Sequence, residues 1–395
     1  MSEAKRQPHV AIACGGTGGH LFPGVTVGEE LLRAGCRVTL LVSPKEIDQA
    51  AVQGLRGFQI ITLPAVGLQN RNYNGFARGC WNSFRAAREY FRKEPPQAVL
   101  AMGGFTAAPP VLAGWLRGAA TFIHESNAIP GRANRLLARM VSRVFVGFVE
   151  TADRIRNRRV EVTGTPVRKC FQSVVGATCR RVLELAPERE TLLVLGGSQG
   201  AKGVNDLVMQ ALPMLLTIHP GLQVLWIAGR ADVQRVREFC ERNSFSAVVR
   251  TFIPEMEVAY GAATIAVSRS GAGTLAELAA MRLPAILIPL PTAADNHQYF
   301  NALALEKTGA ARLLRQPTAT PEKLRDWVSG LLRDTSARRA MASALKQWHQ
   351  PDAAARVAAS ILATVKQRNR NLQLQPVAEA DSVAAWHKPL NVSSA

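Results

Sequence analysis

The sequence lacks the features that direct a chain across a membrane or build a disulfide framework. It has no apolar run close to the ~18 residues of a membrane-spanning helix. Its first residues, MSEAKRQPHV, contain no apolar stretch, so we expect no signal peptide. Its six cysteines occur without C-x-x-C spacing, which favours reduced thiols over disulfides or a zinc site.

Acidic residues are scarce relative to basic ones. The chain has 48 Lys and Arg against 29 Asp and Glu, which gives a formal net charge of +19. Such an excess attracts nucleic acid, anionic membranes or acidic substrates, and the net charge alone does not choose among them. A length of 395 residues, 47% of them hydrophobic, is enough for two domains with ample cores.

Apolar, strand-like runs alternate with helical segments along most of the chain. This alternation predicts an α/β protein with two parallel-sheet, Rossmann-like domains and a boundary between them near 166–186. Each half opens with an apolar strand that runs into a doubled glycine. Because ligands bind at the carboxyl ends of parallel strands, we expect a cleft between the domains. The predicted strands are 10–13, 38–42, 60–63, 98–101, 121–124, 144–146, 192–195, 224–228, 248–252, 264–267 and 285–289.

The two glycine loops do not match the common nucleotide-binding fingerprints. The loop at 15–19 lacks the third glycine of a dinucleotide site, and no acidic residue follows the second strand. The loop at 196–200 has no Lys-Ser/Thr pair of the P-loop type. No Asp-x-Asp motif is present either. A phosphate-bearing ligand is still favoured, but it must be bound in another way.

The stretch 263–277, ATIAVSRSGAGTLAE, predicts a strand, a tight turn and a helix. Glycines at 271 and 273 allow backbone N–H groups to face a ligand, and the helix N-terminus favours a phosphate. Glu277, about one turn further on, is positioned to accept hydrogen bonds from a ribose diol. The alternative is that this is an ordinary α/β turn in which Glu277 only stabilises the first turn of the helix.

Eight motifs in one order resemble the bacterial MurG family: GGTGGHLFPG (15–24), MGGF (102–105), HESN (124–127), GTPVR (164–168), GGSQGA (196–201), FIPEM (252–256), SRSGAGTLAE (268–277) and DNHQYFNA (295–302). The resemblance spans about residues 9–365 and implies a GT-B glycosyltransferase. The implied N-terminal acceptor and membrane domain is 1–165, and the UDP-GlcNAc domain is 166–345. A helix at 346–366 would pack back on the first domain, and 367–395 would be a mobile tail.

The resemblance implies an inverting transfer of GlcNAc from UDP-GlcNAc to the C4 hydroxyl of MurNAc in lipid I, giving lipid II. His20 is our favoured general base, because a neutral imidazole suits proton removal near pH 7. Glu125 is the rival base or an acceptor-orienting group, and it would alternatively cap a turn. The implied donor contacts are Thr17, Gly18, Gly19, Asn127, Arg168, Ser198, Ile253, Ala272, Gly273, Thr274, Leu275, Ala276, Glu277 and Gln298.

Residues 75–93 combine aromatic and basic side chains at helical spacing. Such a helix suits the surface of an anionic membrane, although the aromatics would otherwise simply face the core. With the family's lipid acceptor, this predicts peripheral attachment to the cytoplasmic face of the inner membrane. The predicted membrane contacts are Phe76, Trp81, Phe84, Arg85 and Arg88.

Two other functions stay open at this stage. A different GT-B enzyme, such as a diacylglycerol glycosyltransferase or a UDP-GlcNAc epimerase, would share the donor loop. A nucleic-acid-binding protein is suggested only by the charge, and no known binding module accompanies it. We expect no metal site and no required cofactor, with a divalent-cation requirement left open. The expected partners are UDP-GlcNAc, lipid I, anionic lipid and other cell-wall and division proteins, but not nucleic acid.

Overall fold

The computed structural model describes residues 7–16, 18–67, 72–171, 174–196 and 201–373. The first half of the chain builds one parallel sheet with helices on both faces. Its strands are β1 (His9–Ala13), β2 (Arg37–Val42), β3 (Phe58–Thr62), β4 (Ala98–Ala101), β5 (Ala120–Glu125), β6 (Arg143–Val146) and β7 (Val160–Val162). Its helices are α1 (Gly18–Arg33), α2 (Glu46–Val52), α3 (Tyr73–Lys93), α4 (Ala108–Trp115), α5 (Arg132–Leu137) and α6 (Val149–Ala152).

The second half builds a similar sheet and ends in a long helix. Its strands are β8 (Thr191–Leu195), β9 (Gln223–Ile227), β10 (Ala247–Arg250), β11 (Ile265–Ser268), β12 (Ala285–Leu287) and β13 (Arg312–Leu313). Its helices are α7 (Gly176–Val182), α8 (Lys202–Ile218), α9 (Val233–Arg242), α10 (Met256–Ala262), α11 (Ala272–Met281), α12 (His297–Lys307), α13 (Pro321–Arg333), α14 (Thr335–Leu345) and α15 (Ala353–Gln373). Short 3₁₀ turns lie at Ala294–Asn296, Gln316–Thr318 and Lys346–Trp348.

Both sheets have the same doubly wound order. The first runs β3-β2-β1-β4-β5-β6-β7 and the second β10-β9-β8-β11-β12-β13, and neighbouring strands are parallel throughout. The direction of winding therefore reverses between β1 and β4, and again between β8 and β11. Ligands of such sheets bind at these switch points. The predicted α/β class with two Rossmann-like domains is confirmed.

The predicted strands match observed ones to within two residues at either end. Two strands were missed, β7 and β13, each of which pairs with one neighbour at a sheet edge. β7 has the sequence VEV and β13 only RL, and both are partly exposed. Edge strands this short need no continuous apolar run, so the apolar pattern used to find strands does not detect them.

The chain crosses twice between the halves. The first crossing follows β7 and the second precedes α15, and they lie against each other: a Cβ added to Gly164 would be 2.7 Å from Cβ of Gln350. Residues 346–348, predicted to join the returning helix, stay with the second half, where Trp348 Nε1 donates to Thr308 Oγ1 (2.8 Å). The two crossings are therefore adjacent in space.

Helix α15 returns to the first sheet. Val357, Ile361 and Val365 are buried there in one cluster with Phe122 and Phe145. The prediction that this helix ends at 366 is wrong, because it continues to Gln373 with its last turns exposed. The polar run after 366 contains good helix formers, so it extends a helix that packing has already nucleated. The rest of the predicted tail lies outside the described residues.

We predict that Ile361→Ala destabilises the N-terminal half by about 2–5 kcal/mol, because it leaves a cavity in a fully buried position. Hydrogen exchange of the β4 and β5 amides would report the lower free energy of opening. Lys366→Ala, on the exposed face of the same helix, should change that free energy by less than about 0.5 kcal/mol. Equal effects of the two substitutions would contradict this packing.

Candidate active site between the two domains

Two helix N-termini meet at the switch points of the two sheets. Helix α1 begins at Gly18 and α11 at Ala272, and neither has an acidic residue in its first turn. They approach so closely that a Cβ added to Gly273 would lie 3.5 Å from Cα of Gly19. Each helix end carries a partial positive charge, so the two together form a strong site for an anion.

The first turn of α11 has N–H groups to offer to a ligand. Its N-cap, Gly271, is extended and gives no side-chain cap, and Leu275 N donates to Gly271 O (3.0 Å). The N–H groups of residues 272–274 precede this bond and have no intrahelical acceptor. Leu275 itself is buried in the core of the domain, so its side chain lies away from the cleft. Ala276 is half-buried.

A buried arginine fixes the turn before α11. Arg269 Nη1 donates to the carbonyl oxygens of Ile288 (3.0 Å) and Pro289 (3.1 Å), which follow β12. Burial lowers the pKa of this guanidinium to about 10, so it stays charged at neutral pH. No sequence pattern predicted this contact, which adds positive charge next to the start of α11.

Glu277 lies in a pocket with Tyr260 and Arg168. The Tyr260 hydroxyl donates to Glu277 Oε2 (2.9 Å). Burial raises the pKa of the Glu277 carboxyl to about 7, although the Tyr260 hydrogen bond and the Arg168 charge oppose the shift. Arg168 spans the cleft, since its guanidinium carbon lies 4.5 Å from the centroid of Phe22 on α1. Ile253, a predicted backbone contact, has its side chain in the core nearby.

His20 lies in the first turns of α1, against a pair of glycines that follow β4. Cβ atoms added to Gly103 and Gly104 would lie 3.1 Å and 3.0 Å from its ring, and both glycines have positive φ. Burial lowers the pKa of His20, and the Glu125 carboxylate opposes part of that shift. The imidazole is therefore neutral near pH 7. Its Nδ1 is buried without a partner among the described residues.

The glycine loop before α1 is held by a network that the sequence analysis missed. The Asp48 carboxylate accepts from Gly16 N (2.6 Å) and from Ser43 Oγ (2.5 Å). Phe105 packs on Gly16, where an added Cβ would be 2.9 Å from its ring, and Lys45 Nζ lies over the same ring at 5.0 Å from its centroid. These contacts hold Gly16 in place. Thr17, like Ser198 in the other loop, lies outside the described residues.

Glu125 is buried and fully occupied by hydrogen bonds. Its Oε1 accepts from Asn127 N (2.9 Å) and Asn127 Nδ2 (3.0 Å). Its Oε2 accepts from Gly131 N (2.9 Å) and Asn134 Nδ2 (2.9 Å). Both carboxylate oxygens are therefore already occupied by donors from residues 127–134. The geometry favours its role in shaping the 125–131 loop.

The remaining predicted sugar contacts, Asn127 and Gln298, lie on opposite sides of the domain boundary. Gln298 Oε1 accepts from Leu290 N (2.9 Å), and its backbone oxygen accepts from Ser270 Oγ (2.8 Å). Asn127 Oδ1 accepts from Asn301 Nδ2 (3.0 Å) across the boundary. Both side chains are half-buried at the cleft. His20 and Asn127 thus lie on elements of the first half, and Glu277 and Gln298 on elements of the second half, that meet at the domain boundary.

Comparison with known proteins identifies the family. The model for the Glycosyltransferase family 28 N-terminal domain matches residues 10–146, and the one for its C-terminal domain matches residues 191–357. A relative from Acidithiobacillus ferrooxidans is 38% identical over 357 residues, 89% of this chain and 97% of its own. It is named UDP-N-acetylglucosamine--N-acetylmuramyl-(pentapeptide) pyrophosphoryl-undecaprenol N-acetylglucosamine transferase. The chain belongs to the MurG family of glycosyltransferases.

Other members and solved structures agree with this assignment. A Myxococcus xanthus relative of the same name is 34% identical over 88% of this chain and 91% of its own. The crystal structure of Acinetobacter baumannii MurG has a TM-score of 0.69 and 28% identity, covering 90% of this chain and 99% of that one. A putative UDP-N-acetylglucosamine 2-epimerase from Listeria monocytogenes has a TM-score of 0.68, covering 91% and 97%, but its 14% identity shows only a shared fold. The expected membership of the MurG family is confirmed, and the epimerase alternative is not favoured.

The pKa of Glu277 gives a direct test of this pocket. We predict that its carboxyl titrates near pH 7 by carbon-13 NMR, and higher still in Tyr260→Phe, which loses the hydrogen bond that lowers the pKa. The native state would then keep a proton between pH 4.5 and about 7 that the unfolded chain loses. The contribution of this group to stability therefore falls as pH rises through that window, and Glu277→Gln should remove the dependence. A midpoint near 4.5 would contradict the burial.

Proposed function

We propose that the chain transfers GlcNAc from UDP-GlcNAc to the C4 hydroxyl of MurNAc in lipid I, with inversion, to give lipid II. The observation that carries the proposal is the convergence of the α1 and α11 N-termini across the cleft, with Gly19 opposite Gly273. The family's name supplies the substrates, and this groove supplies a place for a diphosphate between the two domains.

The donor would lie along the start of α11. The free N–H groups of residues 272–274 would bind the diphosphate, and the Glu277 carboxylate would accept hydrogen bonds from the ribose. Arg168 would close over the nucleotide from its position against Phe22. The backbone of Ile253 would contact the uracil, while Asn127 and Gln298 would form hydrogen bonds with the sugar hydroxyls. Gly18 and Gly19 would complete the groove, together with Thr17 and Ser198.

The leaving group would be stabilised by fixed dipoles and cations. Negative charge grows on UDP as the glycosidic bond breaks, and preorganised positive groups are effective where that charge develops. The two helix ends, Arg168 and Arg269 supply them without reorganisation. We therefore propose that neither a metal ion nor an organic cofactor is required.

His20 would be the general base. It belongs to the domain opposite α11, and burial keeps it neutral at physiological pH. A neutral imidazole can take the proton of the attacking hydroxyl as the new bond forms. Glu125 would act through the loop it shapes, because its oxygens are already engaged by Asn127, Gly131 and Asn134.

We predict that His20→Ala lowers kcat by about 100-fold or more, the range typical of a lost general base, with UDP binding largely retained. Transfer of radiolabelled GlcNAc from UDP-GlcNAc to a lipid I analogue would measure it, with UDP-GalNAc as the control donor. Glu125→Gln would test the rival base. A His20→Ala enzyme with nearly normal kcat would refute the assignment, and a wild-type chain that transfers nothing would refute the function itself.

The N-terminal half also has a surface suited to membrane attachment. On α3, Trp81 is 60% exposed and stacks on half-buried Phe84 at 5.7 Å. Helix α4, which packs beside α3, adds Leu112 and Trp115, which are 38% and 47% exposed. Exposed arginines, among them Arg85 and Arg88, surround these apolar groups.

We propose that this surface attaches the protein to the cytoplasmic face of the inner membrane, where an acceptor such as lipid I lies. Exposed aromatics with arginines suit an anionic lipid surface. Phe76, in the first turn of α3, is half-buried. No helix of the described residues is long and apolar enough to span a bilayer. Association with other cell-wall and division proteins is part of the same proposal, with anionic lipid as the primary partner.

We predict that Arg85→Glu with Arg88→Glu weakens binding to vesicles rich in anionic lipid by roughly 10- to 100-fold, since each basic group contributes about 1 kcal/mol at such a surface. Sedimentation with the vesicles at low and moderate salt would measure it. Arg237→Glu with Arg242→Glu, on exposed positions of α9, changes the charge equally and should have little effect. Equal losses in both double variants would show that only net charge matters.

A further inference from the structure

One side chain links the two sides of the cleft directly. Asn301, on α12, is completely buried, and its carboxamide makes three hydrogen bonds. Its Oδ1 accepts from Ala128 N (2.8 Å), and its Nδ2 donates to Asn127 Oδ1 (3.0 Å) and to Ser270 O (3.1 Å). Two of these partners belong to the N-terminal domain and the third to the loop before α11. The oxygen and both N–H groups of the carboxamide thus have partners, and these partners come from both domains.

The partners of Asn301 are the loops that shape the two halves of the groove. Asn127 is held by Glu125, which fixes the 125–131 loop of the N-terminal domain. Ser270 precedes the α11 N-terminus and donates through its hydroxyl to the backbone of Gln298. A shift of one domain against the other would break the bonds of Asn301 to Asn127 and Ala128. This one carboxamide therefore holds the two loops at a defined distance from each other.

The same segment makes a second contact at the rim. Asp295 accepts from Arg132 (3.2 Å) and Arg135 (2.9 Å), both on α5 of the opposite domain. Asp295 and Asn296 have φ values of 50° and 54°, a left-handed conformation that costs energy in residues other than glycine. Such backbone persists only where the surroundings impose it. The 295–301 segment is thus held against the N-terminal domain at both of its ends.

We propose that Asn301 is a positioning residue that holds the two domains closed, so that His20 of one faces the donor bound to the other. If the domains separated, water would take over the hydrogen bonds to Asn127 and Ala128, which are buried in this structure, whereas the bond to Ser270 lies within the C-terminal domain and would remain. The carboxamide therefore favours closure without touching substrate. The kinetic part of this inference rests on the proposed function, and the structural part does not.

The experiment compares Asn301→Ala and Asn301→Asp with a matched control, Asn205→Ala. Asn205 is also completely buried, and its carboxamide also donates two hydrogen bonds and accepts one, but all three partners lie in the C-terminal domain. Spin labels on Arg92→Cys and Arg237→Cys, exposed positions of α3 and α9, would report the distance between domains. Cys80 and Cys170, the half-buried and exposed native thiols, would first be replaced by serine.

We expect both Asn301 variants to lengthen or broaden the interdomain distance, and Asn205→Ala to leave it unchanged while lowering thermal stability. Asn301→Asp should have the larger effect, because a carboxylate has no N–H for Asn127 or Ser270 and would be buried as a charge. In the transfer assay kcat should fall on the order of 10-fold, as for one or two lost hydrogen bonds, and more than KM for UDP-GlcNAc rises.

An unchanged distance in both Asn301 variants would overturn the proposal, whatever happens to activity. A fall in thermal stability like that of Asn205→Ala, with no change in distance, would mean that Asn301 only stabilises its own domain. If the wild-type chain transfers no GlcNAc, the proposed function fails, and the distance measurement still decides whether Asn301 holds the domains together.

Discussion

The close approach of two helix N-termini is the constraint on which the rest of the structure depends. The two helix starts are adjacent, since a Cβ added to Gly273 would make van der Waals contact with Gly19 Cα at 3.5 Å. Each helix begins at the point where its sheet reverses its winding, so two copies of one strand order, facing each other, are sufficient to create the contact. Backbone dipoles at the two helix starts supply positive charge there, together with the Arg168 and Arg269 guanidinium groups.

The acidic groups around the groove are kept from cancelling that potential. Burial raises the pKa of Glu277 to about 7, so part of its population is neutral before any ligand arrives. Each oxygen of Glu125 accepts two hydrogen bonds, from Asn127, Gly131 and Asn134, so this side chain is committed to the loop that it holds. His20 is neutral because burial lowers its pKa. The two helix starts thus offer partial positive charge, and His20 offers a neutral imidazole.

Sequence patterns predicted the parts of this arrangement that depend on local chemistry. Apolar runs located the inner strands, and glycines at 271 and 273 predicted the turn that exposes the start of α11. Contacts between distant segments could not be predicted in this way. Asn301 is hydrogen-bonded to Ala128, 173 residues away in the sequence, and Tyr260 donates to Glu277 from a different helix. Their roles depend on how two finished elements pack, which no local spacing records. Motif 295–302 contained Asn301 but gave it no role.

The two domains differ in their exposed apolar surface, and this difference bears on which domain would move when they separate. The exposed apolar side chains of α3 and α4 belong to the half that carries His20, whereas the start of α11 belongs to the other half. A membrane-bound N-terminal domain would be held in place by the lipid surface, so separation of the domains would move chiefly the C-terminal domain. UDP-GlcNAc is water-soluble and lipid I is not, so the moving domain would be the one that exchanges its ligand with solution. Asn301 lies on the C-terminal domain, so its two hydrogen bonds to Asn127 and Ala128 would form only when the domains come together after that exchange.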